Sequence, residues 1–209
     1  MKAVITGDII HSTRMEDKKR VDLLESLNTA MQLWTKDYNI KYELYRGDSF
    51  QCLLLNPQYA LRVALLIKTF IKSNTYNRSK DLLSDSRISI GIGETEDIGK
   101  KISITSGEAF ILSGRALDEY KAKQTFGIFT NDNFAEELIT ESILLDYILS
   151  KTTTAQSEVI MWKLLGYTEN EISNTLQINQ SAVNQRSNAA GWYAIDSLVQ
   201  RFEKIYSHG

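Results

Sequence analysis

The chain has one cysteine, one proline, two histidines and no long apolar run. Cys52 alone cannot close an internal disulfide, and it excludes a cysteine-based zinc cluster. With apolar neighbours it reads as a small buried hydrophobe. His11 and His208 are too few for a histidine-rich metal site. The most apolar stretch, Ala60–Ile67, contains Arg62 and is too short to span a bilayer. Asp8 interrupts the apolar N-terminus before a signal-peptide core can form. These absences predict a cytoplasmic protein without membrane contact. An excess of either charge is also missing: 24 Lys+Arg stand against 26 Asp+Glu, a net charge of -2. That excludes a strongly basic nucleic-acid coat, though not a local basic patch.

What is present suits a globular protein of one domain or two small ones, with 209 residues of which 43% are hydrophobic. Lys2–Ile10 is short and rich in β-branched residues, which predicts a strand. Leu24, Leu27, Met31 and Trp34 repeat at helical spacing and predict a helix over Met15–Trp34. Ile40–Tyr45 alternates apolar and charged residues, and Phe50–Leu55 resumes after the Gly47-Asp48 turn, which predicts a hairpin. Pro57 fits the first turn of a helix capped by Asn56 and running to Ser73. A polar loop is expected over Thr75–Asp85, a strand over Arg87–Gly93, a helix from Ser106 to Lys121, and a strand over Phe126–Thr130. The order strand, helix, strand, strand, helix, strand is that of an α+β, ferredoxin-like split βαββαβ domain, here spanning residues 1–133.

From Phe134 onward the signals are helical, which sets a second, all-α domain over 134–209. Thr152–Thr154 reads as a short joint at most. Thr168 and Glu171 have capping-box spacing, and Asn179 can cap a following helix that turns Val183 inward. Two short helices joined by a turn at Ile178 make a helix-turn-helix pattern; a generic helical hairpin is the plainer reading.

Two aspartates carry the chemistry of the first domain. Asp8 ends an apolar strand, and Asp48 sits in the hairpin turn. In the split arrangement the first and third strands are antiparallel neighbours, so both carboxylates project from one sheet edge. Asp8, Ile9 through its carbonyl and Asp48 then form a hard-oxygen metal site suited to Mg²⁺ or Mn²⁺ with a triphosphate, and Ser12 and Gly47 are the expected nucleotide contacts. The plain alternative is that each Asp only ends a strand or fills a turn. Within Ser106–Leu117, Arg115 offers a planar donor for phosphate oxygens, or simply pairs with Asp118 or Glu119.

These residues resemble a known pattern. Gly7-Asp8-Ile9-Ile10, Gly47-Asp48-Ser49-Phe50, Arg87-Ile88-Ser89-Ile90-Gly91-Ile92-Gly93 and the Gly107–Arg115 helix resemble, in that order, the landmarks of a diverged class III nucleotide cyclase domain. The resemblance implies two metal-binding aspartates and gives Arg115 the role of the transition-state arginine. Ile111 stands where that family has a ribose-orienting Asn, and Leu44 where it has a base-selecting Lys, so nucleotide binding without turnover is compatible with the pattern. Leu164–Ile172 with Leu176–Arg186 resembles the helix-turn-helix of sigma factors and response regulators, and the whole chain is similar to the bacterial SatD family.

Three functions follow as expectations. The first is a regulator in which a cyclase-like domain senses a nucleotide or metal and the tail binds DNA. There Gln180, Ser181, Asn184, Gln185 and Asn188 face base edges and Arg186 holds phosphate or guanine. The second is a metal-dependent nucleotidyl transferase or cyclase, with Arg115 stabilising the phosphorus centre. The third is a non-catalytic pair of interaction modules. Both resemblances imply a homodimer. One property weighs against DNA: residues 136–209 hold five Lys+Arg and nine Asp+Glu, whereas residues 1–75 hold eleven and eight.

Overall fold

Strand β1 (Lys2–Ile10) is the middle of a five-stranded sheet in the computed structural model, which describes residues 1–45, 47–74, 84–96, 102, 105–120 and 124–207. It pairs antiparallel with β3 (Ser49–Leu54) on one side and β4 (Asp85–Gly93) on the other. Strand β2 (Ile40–Tyr45) adds antiparallel to β3, and β5 (Phe126–Thr130) adds parallel to β4, giving the order β2-β3-β1-β4-β5. Among the described residues eight α-helices accompany the sheet: α1 (Asp17–Tyr38), α2 (Ala60–Ser73), α3 (Glu108–Glu119), α4 (Ala135–Lys151), α5 (Thr154–Leu164), α6 (Glu169–Leu176), α7 (Gln180–Ala189) and α8 (Trp192–Tyr206). The protein is therefore of mixed α+β class. No helix among the described residues is long and apolar enough to cross a membrane.

The two-residue alternation of β1 separates the sheet faces. Ala3, Ile5 and Ile9 join the main core with Leu23, Leu27, Met31 and Trp34 of α1 and with most of α2. Val4 faces the other way and packs with Leu53, Ile102 and Ala109 under α3. Helix α3 lies so close to β4 that a Cβ on Gly91 would collide with the Ala109 carbonyl and the Ser113 amide. Only glycine admits the helix there.

The observed elements depart from the sequence reading at several points. The α1 core stripe uses Leu23, and Leu24 is only partly buried. The helix continues past Trp34 to Tyr38, because Tyr38 packs edge-on against Tyr59 at 5.5 Å, a tertiary contact that periodicity does not report. Asn56 makes no side-chain cap. Pro57–Tyr59 is instead a 3-10 turn closed by the Tyr59 amide on the Asn56 carbonyl at 3.3 Å, and α2 starts at Ala60. The expected loop over Thr75–Asp85 lies outside the described residues up to 83, as does the expected helix end at Lys121. The short joint at Thr152–Thr154 contains a full capping box in which Thr153 and Gln156 satisfy each other's backbone amides and start α5.

Helix α2 is buried on every side. It lies between the sheet and the later helices, and one continuous core runs from Ile5 through Leu65 to Ile160, Val199 and Phe202, across the expected boundary at residues 133 and 134. Two lysines on this helix therefore need internal acceptors. Lys68, 1% exposed, donates to Asp85 Oδ1 at 2.8 Å, the Ser86 carbonyl at 2.6 Å and Thr125 Oγ1 at 3.1 Å. Those three bonds satisfy every proton of its ammonium. Lys72 donates to the Leu149 carbonyl of α4 at 2.7 Å. Arg62, at the other end of α2, holds Glu203 of α8 at 2.6 Å and the Leu164 carbonyl of α5 at 2.8 Å. Removing the Lys68 ammonium leaves Asp85 without its closest cation. Lys68→Ala is expected to cost about 3 kcal/mol or more in urea unfolding, while Lys41→Ala, on the exposed edge strand, stays within about 0.5 kcal/mol.

Candidate functional site

Because β1 runs antiparallel to both neighbours, its C-terminal end meets the start of β3 and the start of β4. The register places Asp8 opposite Ser49 on one side and Arg87 on the other. Asp8 shares a sheet face with Thr6, and the cross-strand partner of Thr6 on β3 is Gln51, whose amide donates to Thr6 Oγ1 at 3.2 Å. Thr6 in turn bonds the hydroxyl of Ser113 on α3 at 2.9 Å. A polar row thus runs along the α3 face of the sheet towards Asp8.

The hairpin tip is fastened to the end of β1. Gly47 turns with φ of +74°, a left-handed conformation that favours glycine. The Ile9 amide donates to the Asp48 carbonyl at 2.9 Å. His11, at φ of 61°, reverses the chain into a 3-10 turn at Ser12–Arg14. That reversal brings the buried Ser12 hydroxyl to Asp48 Oδ2 at 2.7 Å, and Ser49 reaches Asp48 Oδ1 at 3.2 Å. Asp8, Ile9, Ser12, Gly47 and Asp48 therefore lie at one end of the sheet. Ser12 acts there as the internal anchor of Asp48, and the Ile9 side chain lies in the core. Arg46 of the expected motif lies outside the described residues.

The sequence reading missed Arg87 as part of this group. Its Nε and Nη2 donate to the two oxygens of Asp8 at 3.0 and 2.5 Å, a bidentate pair. The Asp8 carboxylate is the largest influence raising the guanidinium above its ordinary range. The usable signal was register: once β1 and β4 are paired, Arg87 falls opposite Asp8. Tyr45, half-buried opposite Ser49, has its phenol pushed up to about 12, first by burial and then by Glu43 and Cys52, and remains a neutral donor.

No group of three or more His, Cys, Asp or Glu side chains among the described residues is placed to hold a metal ion. Asp8 and Asp48 offer two carboxylates, a hard-oxygen set of the kind Mg²⁺ takes when substrate phosphates and water complete its shell. A cation there must share Asp8 with Arg87 and Asp48 with Ser12. Arg115 lies elsewhere. It is exposed on α3 and lines a cavity of about 450 Å³ with Ile111, Tyr120, Phe129, Ile139 and Ile143, a lining that includes neither aspartate.

The second candidate surface is helix α7. Helices α5, α6 and α7 enclose a small core of Val159, Ile172 and Val183. The expected capping box at Thr168 and Glu171 is present, and Asn179 Oδ1 accepts from the Ala182 amide at 2.7 Å. Gln180, Ser181, Asn184, Gln185 and Asn188 are exposed. Asn188 donates to Asn184 at 2.9 Å, and Asn184 reaches Glu169 at 3.5 Å. Arg186 is half-buried and acts on Glu158 of α5, whose carboxyl is pushed up by burial and drawn back by that charge. A guanidinium so placed is partly committed inside the protein.

The chain matches no protein-family model and no curated protein.

Two outcomes test these placements. The Cys52 thiol is fully buried and pushed far up by desolvation, so an alkylating reagent should label it only as fast as the protein unfolds. Arg186→Ala removes the charge that offsets the half-buried Glu158. Because a raised carboxyl penalises folding only above its unfolded-state pKa, the variant should lose about 1 kcal/mol near pH 8 and far less near pH 4. Urea midpoints at the two pH values check this.

Proposed function

We propose that this protein is a regulator. In this reading a ferredoxin-like, cyclase-type unit takes Mg²⁺ or Mn²⁺ together with a nucleoside triphosphate, and a helix-turn-helix unit engages DNA as half of a homodimer. The observation that carries the first part is the register pairing Asp8 with Ser49, which sets Asp8 and Asp48 at one sheet end beside Ser12 and Gly47. The strand order β4-β1-β3-β2, antiparallel throughout, is the order a split βαββαβ arrangement generates and supports that reading of the fold. Two carboxylates completed by phosphate oxygens and water suit a hard divalent cation. With Arg115 lining a separate cavity, the chain's own residues favour binding over turnover.

For the second part, α7 presents a row of uncharged amides and a hydroxyl. Asn and Gln can each hold adenine through two hydrogen bonds in the major groove. The acidic tail supplies few phosphate contacts, so the reading places discrimination in base edges and affinity in the pairing of two half-sites.

The experiment is a thermal-shift screen of the four nucleoside triphosphates with Mn²⁺, on wild type and Asp48→Asn. A ligand at one hundred times its Kd adds about 2.7 kcal/mol to the native state. One triphosphate should raise the wild-type Tm only with the metal present, and Asp48→Asn should lose the rise. No rise with any triphosphate would end the nucleotide reading, whereas product formation lost in Asp48→Asn would replace it with an enzyme. In parallel, DNA binding should weaken with salt and with Gln185→Ala. Binding that survives deletion of α6 and α7 would remove the tail as the reader.

A further inference from the structure

Large exposed apolar side chains are concentrated on one part of this molecule. Ile111 of α3 and Ile139, Ile143, Leu144 and Tyr147 of α4 are five of the ten such residues among those described, and Leu144 and Tyr147 are 62% and 66% exposed. On α4 they follow helical spacing along the face opposite Leu138, Leu145 and Leu149, which point into the core. A groove lies on each side of this ridge. The cavity of about 450 Å³ separates it from α3, and another of about 320 Å³, lined by Leu144, Ile148, Ala194 and Leu198, separates it from α8. Single exposed apolar residues are ordinary, but a contiguous ridge between two grooves marks an interaction surface.

The charges on the ridge say what covers it. Its solvent face begins with the exposed Glu136 and ends with the exposed Lys151, whose ammonium sits 5.3 Å from the Tyr147 ring. The apolar residues occupy the middle. The pattern is its own complement when read in the opposite direction. Suppose two α4 helices lie antiparallel about an axis between Ile143 and Leu144. Ile143 then meets the partner's Leu144, Thr140 meets the partner's Tyr147, and Glu136 meets the partner's Lys151. Antiparallel alignment also sets each helix dipole against its opposite. The ridge is about 22 Å long at 1.5 Å per residue. With both grooves the surface spans α3, α4 and α8.

We propose that the solvent face of α4 is a two-fold interface between two copies of this chain, an isologous contact in which each ridge seats against the other and its grooves. This names the surface of the homodimer in the function proposed above. It stands on the α4 pattern alone, and not on the nucleotide or DNA readings.

The test is sedimentation velocity over a micromolar to sub-millimolar range of the full chain. Wild type should sediment as a dimer. Leu144→Glu should be monomeric with an unchanged far-UV circular dichroism spectrum. Glu136→Lys alone and Lys151→Glu alone should each weaken the dimer about tenfold, since each removes two symmetric pairs and sets like charges together. The double swap, Glu136→Lys with Lys151→Glu, should restore it, because every pair is re-formed with its signs exchanged. A monomeric wild type, a dimer that Leu144→Glu leaves intact, or a double swap no better than the single ones would each overturn the proposal. The Mn²⁺-dependent thermal shift is read on the same samples, so failure of the interface and failure of the nucleotide reading are scored apart.

Discussion

The ammonium of Lys68 sits inside the protein with three acceptors from two segments: Asp85 and Ser86 of β4 and Thr125 ahead of β5. An ammonium cannot stay charged in an apolar interior without such partners, so the position of β4 against α2 is narrowly defined. The same network continues outward. Thr125 also bonds Asp146 of α4 through its hydroxyl at 2.6 Å and its amide at 3.1 Å, and Lys72 reaches the end of α4. Helix α4 is thus held from below by hydrogen bonds while its outer ridge stays in water. With Arg62 binding α5 and α8, one buried helix ties the sheet to α4, α5 and α8, while the α6–α7 pair rests on a small core shared with α5.

The site follows from the same geometry. A central β1 flanked by two antiparallel strands brings three strand ends together, and with them Asp8, Asp48 and Arg87. Both carboxylates are already satisfied within the chain, one by a guanidinium and one by two hydroxyls. In the proposed function, a cation entering here would compete with these internal bonds, and phosphate oxygens of a nucleotide would take over the guanidinium it displaced. The tail shows the converse economy. Its one cation on α7, Arg186, is half-buried, and the exposed residues of that helix are uncharged.

The element order was readable because β1 is short and rich in β-branched residues, because β2 and β4 place apolar residues at every second position, and because the caps at Thr168 and Asn179 use local chemistry that a three-residue window contains. Phe126–Thr130 was found to the residue. The extension of α1 to Tyr38 was not readable, since it depends on an aromatic partner 21 positions away. Nor was the choice of Leu23 over Leu24: a one-residue rotation of a helix stripe is decided by the surface it packs on. Asp8 and Asp48 stood out as carboxylates at the ends of apolar runs, but the roles of Ser12 and Arg87 did not. A hydroxyl that anchors a neighbour looks, in sequence, like any turn serine.

By itself, then, the sequence determined the mixed α+β class, the burial of Cys52 and the residues that start α6 and α7. Each of these follows from periodicity, composition or backbone capping within a short window. The tertiary structure alone decided that α2 is enclosed on all sides, that Asp8 is paired with Arg87, that Arg115 faces a cavity beside α4, and that α4 leaves an apolar ridge in water. Those features join segments tens of residues apart. They depend on strand register and helix rotation, which are set by how well whole surfaces fit and not by the preferences of any one stretch of chain.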